Sequence, residues 1–217
     1  MPGASARPNP VRQALRSALI RVVPRTRLVA SLPAGAASVA LTFDDGPNPD
    51  VTPRLLDVLA EYRATATFFL IGEQAAKHPD IVQRIASAGH AVGHHSWTHS
   101  EPATTSARQL LEETRRTREF LEDLLGRPAP LFRPPHGKLT IAKLLGVWWQ
   151  GNAIVLWNRD PKDFQMTASR DLGAWFTTNP LHRGDIVLLH DTHPHAAAVL
   201  PQVLRDSGVR FEALGAP

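Results

Sequence analysis

From residue 37 onwards, short apolar segments alternate with longer segments in which apolar residues recur every three or four positions. The short segments are typical of buried strands, and the longer ones of helices that pack one face against a sheet. Six strands are predicted in this way, at 38–43, 65–70, 90–96, 131–133, 153–157 and 185–189. Because regular alternation favours parallel strands with right-handed crossovers, we expect an α/β fold. It is either a (β/α) barrel, closed or incomplete, or a doubly wound sheet.

The predicted helices differ in how clearly their ends are marked. Residues 50–62 and 78–88 show helical periodicity. The clearest helix begins at Ser106, which forms a capping box with Gln109, and it ends at Gly126. A capping side chain at the start and a glycine at the end are the signals that bound a helix most sharply.

The N-terminal segment has a different pattern. Within residues 11–23, apolar side chains recur at helical spacing with arginines between them, and Pro24 follows. This pattern predicts a short basic amphipathic helix. We therefore divide the chain into a basic N-terminal arm, 1–35, and a body, 36–217. The helix of the arm either packs on the outside of the barrel or contacts a membrane surface.

The arm accounts for the positive charge of the chain. The sequence has 24 Lys and Arg against 20 Asp and Glu, a formal net charge of +4. Six arginines precede the first acidic residue, Asp44, which leaves 18 basic against 20 acidic side chains in the rest. A nucleic-acid-binding body would carry its positive charge on the folded surface, so this distribution argues against a nucleic-acid partner.

Length and composition exclude several other classes of protein. With 217 residues, 43% of them hydrophobic, the chain can form one domain with a substantial core. It has no cysteine, which excludes disulfides and thiolate metal sites, whereas 10 histidines are many for this length. It has no apolar run of about 18 residues, and the arm lacks the apolar core of a signal peptide. We expect a monomer in the cytoplasm or at a membrane surface.

Most of the unusual polar residues come directly after predicted strands. They are Asp44, Asp45, His95, His99, Arg133, Asp160, Asp163 and His190. The carboxyl ends of parallel strands form one face of a barrel, and that face carries the active site in barrel enzymes. Because five clusters of polar side chains would meet there, we predict a functional site at this face.

Two of these clusters suggest a metal site. The adjacent carboxylates Asp44 and Asp45 repel each other unless a cation or a proton separates them. His95 and His99 are four residues apart, so on one helical turn both imidazoles would lie at chelating distance. Two histidines and one carboxylate leave open positions on zinc, cobalt, nickel or iron. Each motif alone also fits a structural role, as an Asp-rich turn or a pair of surface histidines.

Arg133 is followed by two prolines that would hold it rigidly at the rim of the barrel. An arginine in this position could keep a neighbouring carboxylate ionised through a charge-assisted contact. Taken alone, the same residue also fits a helix-capping or surface role.

The polar clusters belong to five motifs, TFDDGP at 42–47, HSWTH at 95–99, RPPHG at 133–137, DPKDF at 160–164 and LLH at 188–190. In this order, over residues 38–210, they resemble the motifs of the polysaccharide deacetylase family, the NodB-homology domain of carbohydrate esterase family 4. The resemblance implies a deformed (β/α) barrel. It also implies a metal-dependent hydrolase that removes N-acetyl groups from amino sugars in poly- or oligosaccharides, of the chitooligosaccharide or peptidoglycan type.

The resemblance implies roles for three groups of residues. Those implied in catalysis are the base Asp44, its tether Arg133, the general acid His190 and the carboxylate that tunes it, Asp163. Those implied as ligands of one divalent metal ion, zinc first and cobalt or nickel as alternatives, are Asp45, His95 and His99. Those implied in binding the carbohydrate are Pro135, His136, Gly137, Phe164 and Leu188.

Two residues of the binding group depart from the family pattern. His136 stands where the family has Tyr, and Phe164 stands where it has Trp. The backbone N–H that the family uses in the oxyanion hole survives in His136, so this change puts substrate preference in question rather than chemistry. Phe164 keeps an apolar groove wall and loses only the hydrogen bond of the indole. Leu188 would receive the acetyl methyl group.

Other functions are also compatible with parts of the sequence. A hydrolase of the same superfamily could act on a cyclic imide or another non-sugar amide, and an inactive relative could bind carbohydrate only. The complete set of acidic and histidine residues argues against metal-free and inactive members. A membrane-associated structural protein built on the arm would leave the five polar clusters unexplained.

Overall fold

The computed structural model describes residues 22–215, whose strands form one curled parallel sheet. The strands are β1 (Leu28–Val29), β2 (Ser38–Asp44), β3 (Thr67–Leu70), β4 (Ala91–His94), β5 (Leu131–Phe132), β6 (Ala153–Val155), β7 (Ile186–His190) and β8 (Arg210–Phe211). Their order is β1-β6-β5-β4-β3-β2-β7, and β8 pairs with the start of β2. Every pair of neighbouring strands is parallel.

The strand order decides between the two predicted architectures. From β2 to β6, each new strand joins the sheet next to the preceding one, so the sheet winds in a single direction. A doubly wound sheet would reverse direction at a switch point. The segment after β6 also approaches the opposite edge, where Arg159 forms an isolated bridge with Val187 of β7. The prediction of a deformed or incomplete (β/α) barrel is therefore confirmed.

The helices follow the strands as the alternating pattern predicts. They are α1 (Thr52–Glu61), α2 (Gly72–Lys77), α3 (Pro79–Ser87), α4 (Ala107–Leu125), α5 (Ile141–Trp149), α6 (Ser169–Thr178) and α7 (His195–Asp206), with 3₁₀ turns at Pro135–Gly137 and Asp163–Gln165. The Ser106 side chain accepts a hydrogen bond from the N–H of Gln109 at 3.1 Å, and Gly126 ends α4 with a φ of 62°. Strands β1 and β8 and helix α2 were not predicted, because segments of two to six residues are too short to show a period.

The side chains of β2 divide between the two faces of the sheet. Leu41 and Phe43 pack in the large cluster that includes the apolar residues of α1, on the outside of the barrel. Ala40 packs in a separate cluster with residues of β6 and β7. Because side chains alternate along a strand, Thr42 and Asp44 point to the same inner side as Ala40. The inner end of β2 thus carries a carboxylate.

The helix expected over 11–23 lies outside the described residues except for its last two positions. Val23 packs against an apolar cluster to which β1, α4, β5, α5 and β6 each contribute a buried side chain. Strand β1 lies within the segment assigned to the arm and pairs with β6. The division at residue 35 stays a prediction. Across residues 22–215, no helix combines the length and the apolar character needed to cross a bilayer.

Candidate active site

The innermost part of the site is an ion pair between Asp44, the last residue of β2, and Arg133, which follows β5. Nη1 of Arg133 donates to Oδ1 of Asp44 and to Oγ1 of Thr42, each at 2.7 Å. Both charged side chains are buried, and the guanidinium lies 4.1 Å from the ring centroid of Phe69. Burial lowers the pKa of Arg133, and the charge and hydrogen bond of Asp44 oppose that effect. Arg133 therefore fixes one oxygen of Asp44, and the other, Oδ2, lies 3.6 Å from Nε2 of His95.

Beside this ion pair, Asp45, His95 and His99 bring three ligand atoms together. These atoms lie within 4.8 Å of one another. Oδ1 of Asp45 is 3.6 Å from Nε2 of His95 and 3.5 Å from Nε2 of His99. Nδ1 of His95 lies 2.6 Å from the carbonyl oxygen of Arg133, so Nδ1 carries the proton and Nε2 presents its lone pair. Burial lowers the pKa of His95 against the opposing effect of Asp44 and Asp45, which favours the neutral form that binds metals.

Two observations indicate that these residues fit a divalent cation. Oδ1 of Asp45 is buried and has no hydrogen-bond partner among the described residues, which is an expensive state for a carboxylate oxygen. The donor set of one carboxylate and two imidazoles is one that zinc, cobalt and nickel accept with positions left open. Within residues 22–215, this is the one group of three such side chains found to converge.

The two histidines do not lie on a helical turn, and that part of the sequence interpretation is wrong. Residues 95–99 form an irregular loop in which Ser96 has a φ of 63° and His99 a φ of 56°. The Ser96 hydroxyl accepts a hydrogen bond from the N–H of His99 at 3.1 Å. The ring centroids of His95 and His99 are 4.8 Å apart. Asp45 also has a positive φ, 76°. Left-handed backbone at non-glycine residues is strained and tends to cluster at functional sites.

A second pair joins His190, the last and half-buried residue of β7, to the buried Asp163. Nδ1 of His190 donates to Oδ1 of Asp163 at 2.7 Å, and the backbone N–H of His190 donates to Oδ2 at 2.8 Å. Burial disfavours the imidazolium, but Asp163, together with Asp44 and Asp45, outweighs burial and raises the pKa of His190 to about 9. His190 is therefore protonated at neutral pH, which is the state that a general acid needs.

Two of the expected substrate-binding residues flank His190. Leu188 lies two residues before it on β7 and is buried, and by strand alternation it faces the same inner side. Phe164 packs edge-on against the His190 ring, with 5.1 Å between ring centroids, and is 45% exposed. Together they form an apolar wall and an apolar rim next to the candidate acid.

The other three expected binding residues form a tight turn at the rim. Pro135 is buried, and Gly137 lies so close to Trp157 that a Cβ at this position would be 2.8 Å from the indole ring. His136 has a φ of 55°, and its ring is 5.0 Å from that of His99. His136, one of the two residues that depart from the expected family pattern, thus lies directly beside a candidate metal ligand.

One polar residue after β6 takes no part in this arrangement. The carboxylate of Asp160 accepts hydrogen bonds from the backbone N–H and the ammonium of Lys162, at 3.0 and 2.9 Å. Its role in the structure is to hold the loop that leads to Asp163.

Asp191, which directly follows His190, is a further buried carboxylate of this region and was not among the predicted site residues. Its side chain is fully buried, Oδ2 accepts a hydrogen bond from the Thr52 hydroxyl at 2.5 Å, and Oδ1 has no partner among the described residues. Burial, with a smaller contribution from the charges of Asp45 and Asp44, raises the pKa of Asp191 to about 7, although the hydrogen bond from Thr52 opposes these effects. Two adjacent polar residues at the end of an apolar strand, as at 44–45, were the signal that could have identified it.

A barrel that collects a candidate acid, a candidate base and an N/O donor group at the carboxyl ends of its strands has the organisation of a hydrolase that uses metal-activated water. Comparison with known proteins agrees with this class. The chain belongs to the polysaccharide deacetylase family, whose model matches residues 32–146. The family resemblance drawn from the five motifs is thereby confirmed.

Individual relatives match most of the chain. A peptidoglycan-N-acetylglucosamine deacetylase of Bacillus cereus is 35% identical over 193 residues, which cover 84% of this chain and 68% of that protein. A chitooligosaccharide deacetylase of Sinorhizobium fredii is 37% identical over 179 residues, covering 81% of this chain and 79% of that protein. The crystal structure of the Bc1960 peptidoglycan N-acetylglucosamine deacetylase superimposes with a TM-score of 0.80 at 34% identity, covering 86% of this chain and 90% of that one.

Proposed function

We propose that this protein is a hydrolase that removes N-acetyl groups from amino sugars in a poly- or oligosaccharide of the chitooligosaccharide or peptidoglycan type. The observation that carries the proposal is the position of Asp44. Arg133 tethers one of its oxygens at 2.7 Å, and the other points towards the group formed by Asp45, His95 and His99. A carboxylate held in this way is placed to accept a proton from water beside a cation.

Asp45, His95 and His99 would hold one divalent metal ion, with zinc as the first choice and cobalt or nickel as alternatives. When bound, such an ion polarises a carbonyl and lowers the pKa of water to about 7. The neutral state of His95, favoured by burial, and the unpartnered Oδ1 of Asp45 suit this role.

The chain's own residues then carry the proton transfers. Asp44 removes a proton from the attacking water through Oδ2, while Arg133 holds Oδ1. The water oxygen joins the acetyl carbon, the carbon–nitrogen bond breaks, and His190 donates a proton from Nε2 to the departing amine. Acetate and a free amino sugar result. Asp163 keeps His190 protonated until this step, and the backbone N–H of His136 is the proposed donor to the oxyanion.

The substrate would lie across the rim next to these groups. Leu188 would receive the acetyl methyl, and Phe164 would offer an apolar surface to a sugar ring. His136, in the turn shaped by Pro135 and Gly137, would contact the neighbouring part of the carbohydrate. Because His136 and Phe164 are on the exposed rim, the site suits a chain that extends beyond the reacting unit.

An activity assay with metal-loaded protein tests the proposal. We expect acetate release from N-acetylglucosamine oligomers or peptidoglycan, complete loss of activity with a chelator, and recovery with added zinc. Acetylxylan, an ester substrate, serves as the comparison. Turnover of a cyclic imide without turnover of either amino-sugar substrate would overturn the proposal in favour of the non-sugar alternative, and binding without turnover would indicate an inactive relative.

We also propose that the basic arm brings the protein to an anionic membrane surface. Helix α5 exposes Ile141, Leu145 and Trp149, which are four residues apart and share one face, and Trp149 is 93% exposed. The indole N–H of Trp148 donates to the carbonyl of Arg27 at 3.0 Å, so the arm joins the barrel beside this face. An exposed apolar stripe next to a segment with six arginines favours anionic lipid.

Vesicle sedimentation tests the membrane contact. We expect a monomer that binds phosphatidylglycerol vesicles but not phosphatidylcholine vesicles, less at high salt, more weakly after Trp149→Ser, and not at all without the arm. Gln202→Ser, at an exposed position of α7, is the control and should bind normally. Salt-independent binding would contradict the proposal, as would a dimer that Trp149→Ser dissociates, because the stripe would then face a second copy. Absence of binding would indicate that the arm packs on the barrel.

A further inference from the structure

We propose that Asp191 and Thr52 hold the turn of residues 45–48 in place and act as positioning residues for the metal site. The inference rests on the proposed function, because Asp45 in this turn is a proposed metal ligand. Neither side chain is among the groups assigned to the metal, the base or the acid. They would act through the backbone of the turn.

Asp191 lies directly against this backbone. A Cβ at Gly46 would be 2.1 Å from Oδ2 of Asp191 and 2.5 Å from Oδ1, so only glycine fits there. The N–H of Asp191 lies 3.3 Å from the carbonyl oxygen of Asp44, to which it donates. The buried carboxylate therefore contacts the residue that immediately follows Asp45.

Thr52 extends the contact to the far end of the turn. Its hydroxyl donates to Oδ2 of Asp191 at 2.5 Å and accepts a hydrogen bond from the N–H of Asn48 at 2.8 Å. Both side chains are fully buried, so water does not compete for these bonds. The turn is thus held at Gly46 by close contact and at Asn48 by a hydrogen-bond chain that ends on Asp191.

Asp45 has a conformation that needs such support. Its φ of 76° is unfavourable for a residue with a side chain, and such angles persist where the surrounding structure over-determines them. The position of its Oδ1 relative to His95 and His99 depends on this backbone angle. If the bond between Thr52 and Asp191 is lost, we expect the turn to relax and the three ligand atoms to separate.

Replacement of Thr52 tests the inference by direct metal binding. Thr52→Val keeps the shape of the side chain and removes the hydroxyl, and Thr52→Ser restores the hydroxyl. Titration of the folded, metal-free protein with Co²⁺, followed by its visible spectrum, should show about 10- to 100-fold weaker binding for Thr52→Val. Thr52→Ser should bind as the wild type does. KM should stay unchanged while kcat at limiting metal falls.

Thr114→Val is the matched control. Thr114 is also a fully buried threonine, but its hydroxyl bonds to the carbonyl of Leu110 within α4. A structural effect of losing a buried hydroxyl would appear in both valine variants as a lower melting temperature. Only Thr52→Val should change the cobalt spectrum and affinity.

Wild-type cobalt affinity in folded Thr52→Val would overturn the inference. If that variant does not fold, Asp191→Asn decides, because its amide oxygen still accepts the Thr52 hydrogen bond and should preserve most of the affinity. Asp191→Ala, which removes the acceptor of this hydrogen bond, should lose cobalt affinity. An equally large loss of affinity in Asp191→Asn would then contradict the inference. Metal binding is measured without substrate, so wild-type protein that binds cobalt but does not deacetylate would refute the proposed function separately.

Discussion

Replacing Asp163 with asparagine tests the assignment of His190 as the general acid. Burial lowers the pKa of His190, but the hydrogen bond and charge of Asp163 outweigh it and the pKa reaches about 9. Asparagine keeps an oxygen acceptor for Nδ1–H but removes the charge. The imidazolium keeps its own charge when Asn accepts its hydrogen bond, so what is lost is the opposite charge of the carboxylate, and such a charge within about 4–6 Å shifts a pKa by about 1–3 pH units. The pKa of His190 should therefore fall by about 1–3 pH units in Asp163→Asn, which corresponds to about 1.4–4 kcal/mol.

The expected sign follows from the role of His190. A general acid must be protonated, so the rate falls as the pH rises through its pKa. The alkaline limb of kcat should therefore move to lower pH in Asp163→Asn, and the acidic limb should stay where it is. The wild type and Asp163→Asn are measured with the same bound metal, so that the effect of the metal on the pKa of His190 is the same in both. Asp160→Asn removes a carboxylate from the same loop and is the control. An unmoved alkaline limb, or one moved to higher pH, would refute the assignment.

The remaining predictions concern the metal ligands, the base and the arm. Asp44→Asn should still bind metal and lose about 10²–10⁴-fold in rate, and loss of the metal in this variant would show that the two aspartates have exchanged roles. Asp45→Asn should bind metal more weakly, so excess zinc should restore part of its rate. His95→Ala and His99→Ala should lose metal and activity together, as measured by metal content and acetate release, and full turnover by metal-free protein would contradict this. Deletion of residues 1–21 should leave turnover of a small soluble substrate unchanged, and collapse of the fold would show that this segment packs on the barrel.

The ends of the strands were the most predictable part of the molecule. Parallel strands end at the same face of the sheet even when their predicted bounds are wrong by several residues. The predicted strand over 90–96 ends at His94, for example, yet His95 still lies at the expected face. Asp44 and His190 likewise end neighbouring strands whose register pairs them directly. Position relative to a strand end was therefore enough to bring the candidate site together.

The backbone of the loops could not be predicted in the same way. The chelating distance between His95 and His99 was expected from a helical turn, but it arises from left-handed residues at Ser96 and His99. Such angles are imposed by contacts with the rest of the fold and leave no local period. The bond between Thr52 and Asp191 joins residues 139 positions apart, so a single sequence holds no sign of it.

The charges inside the site favour a cation independently of the family resemblance. Asp44 is balanced by Arg133 and Asp163 by protonated His190, each at 2.7 Å. Asp45 has no such partner: its Oδ1 accepts no hydrogen bond from the described residues, and burial favours the neutral form of His95, one of the two imidazoles that face it. A proton on Asp45 would remove its charge but would leave two neutral imidazole nitrogens facing a carboxylic acid. A divalent cation balances the carboxylate and uses both nitrogen lone pairs at once, so it satisfies all three groups where a proton satisfies one.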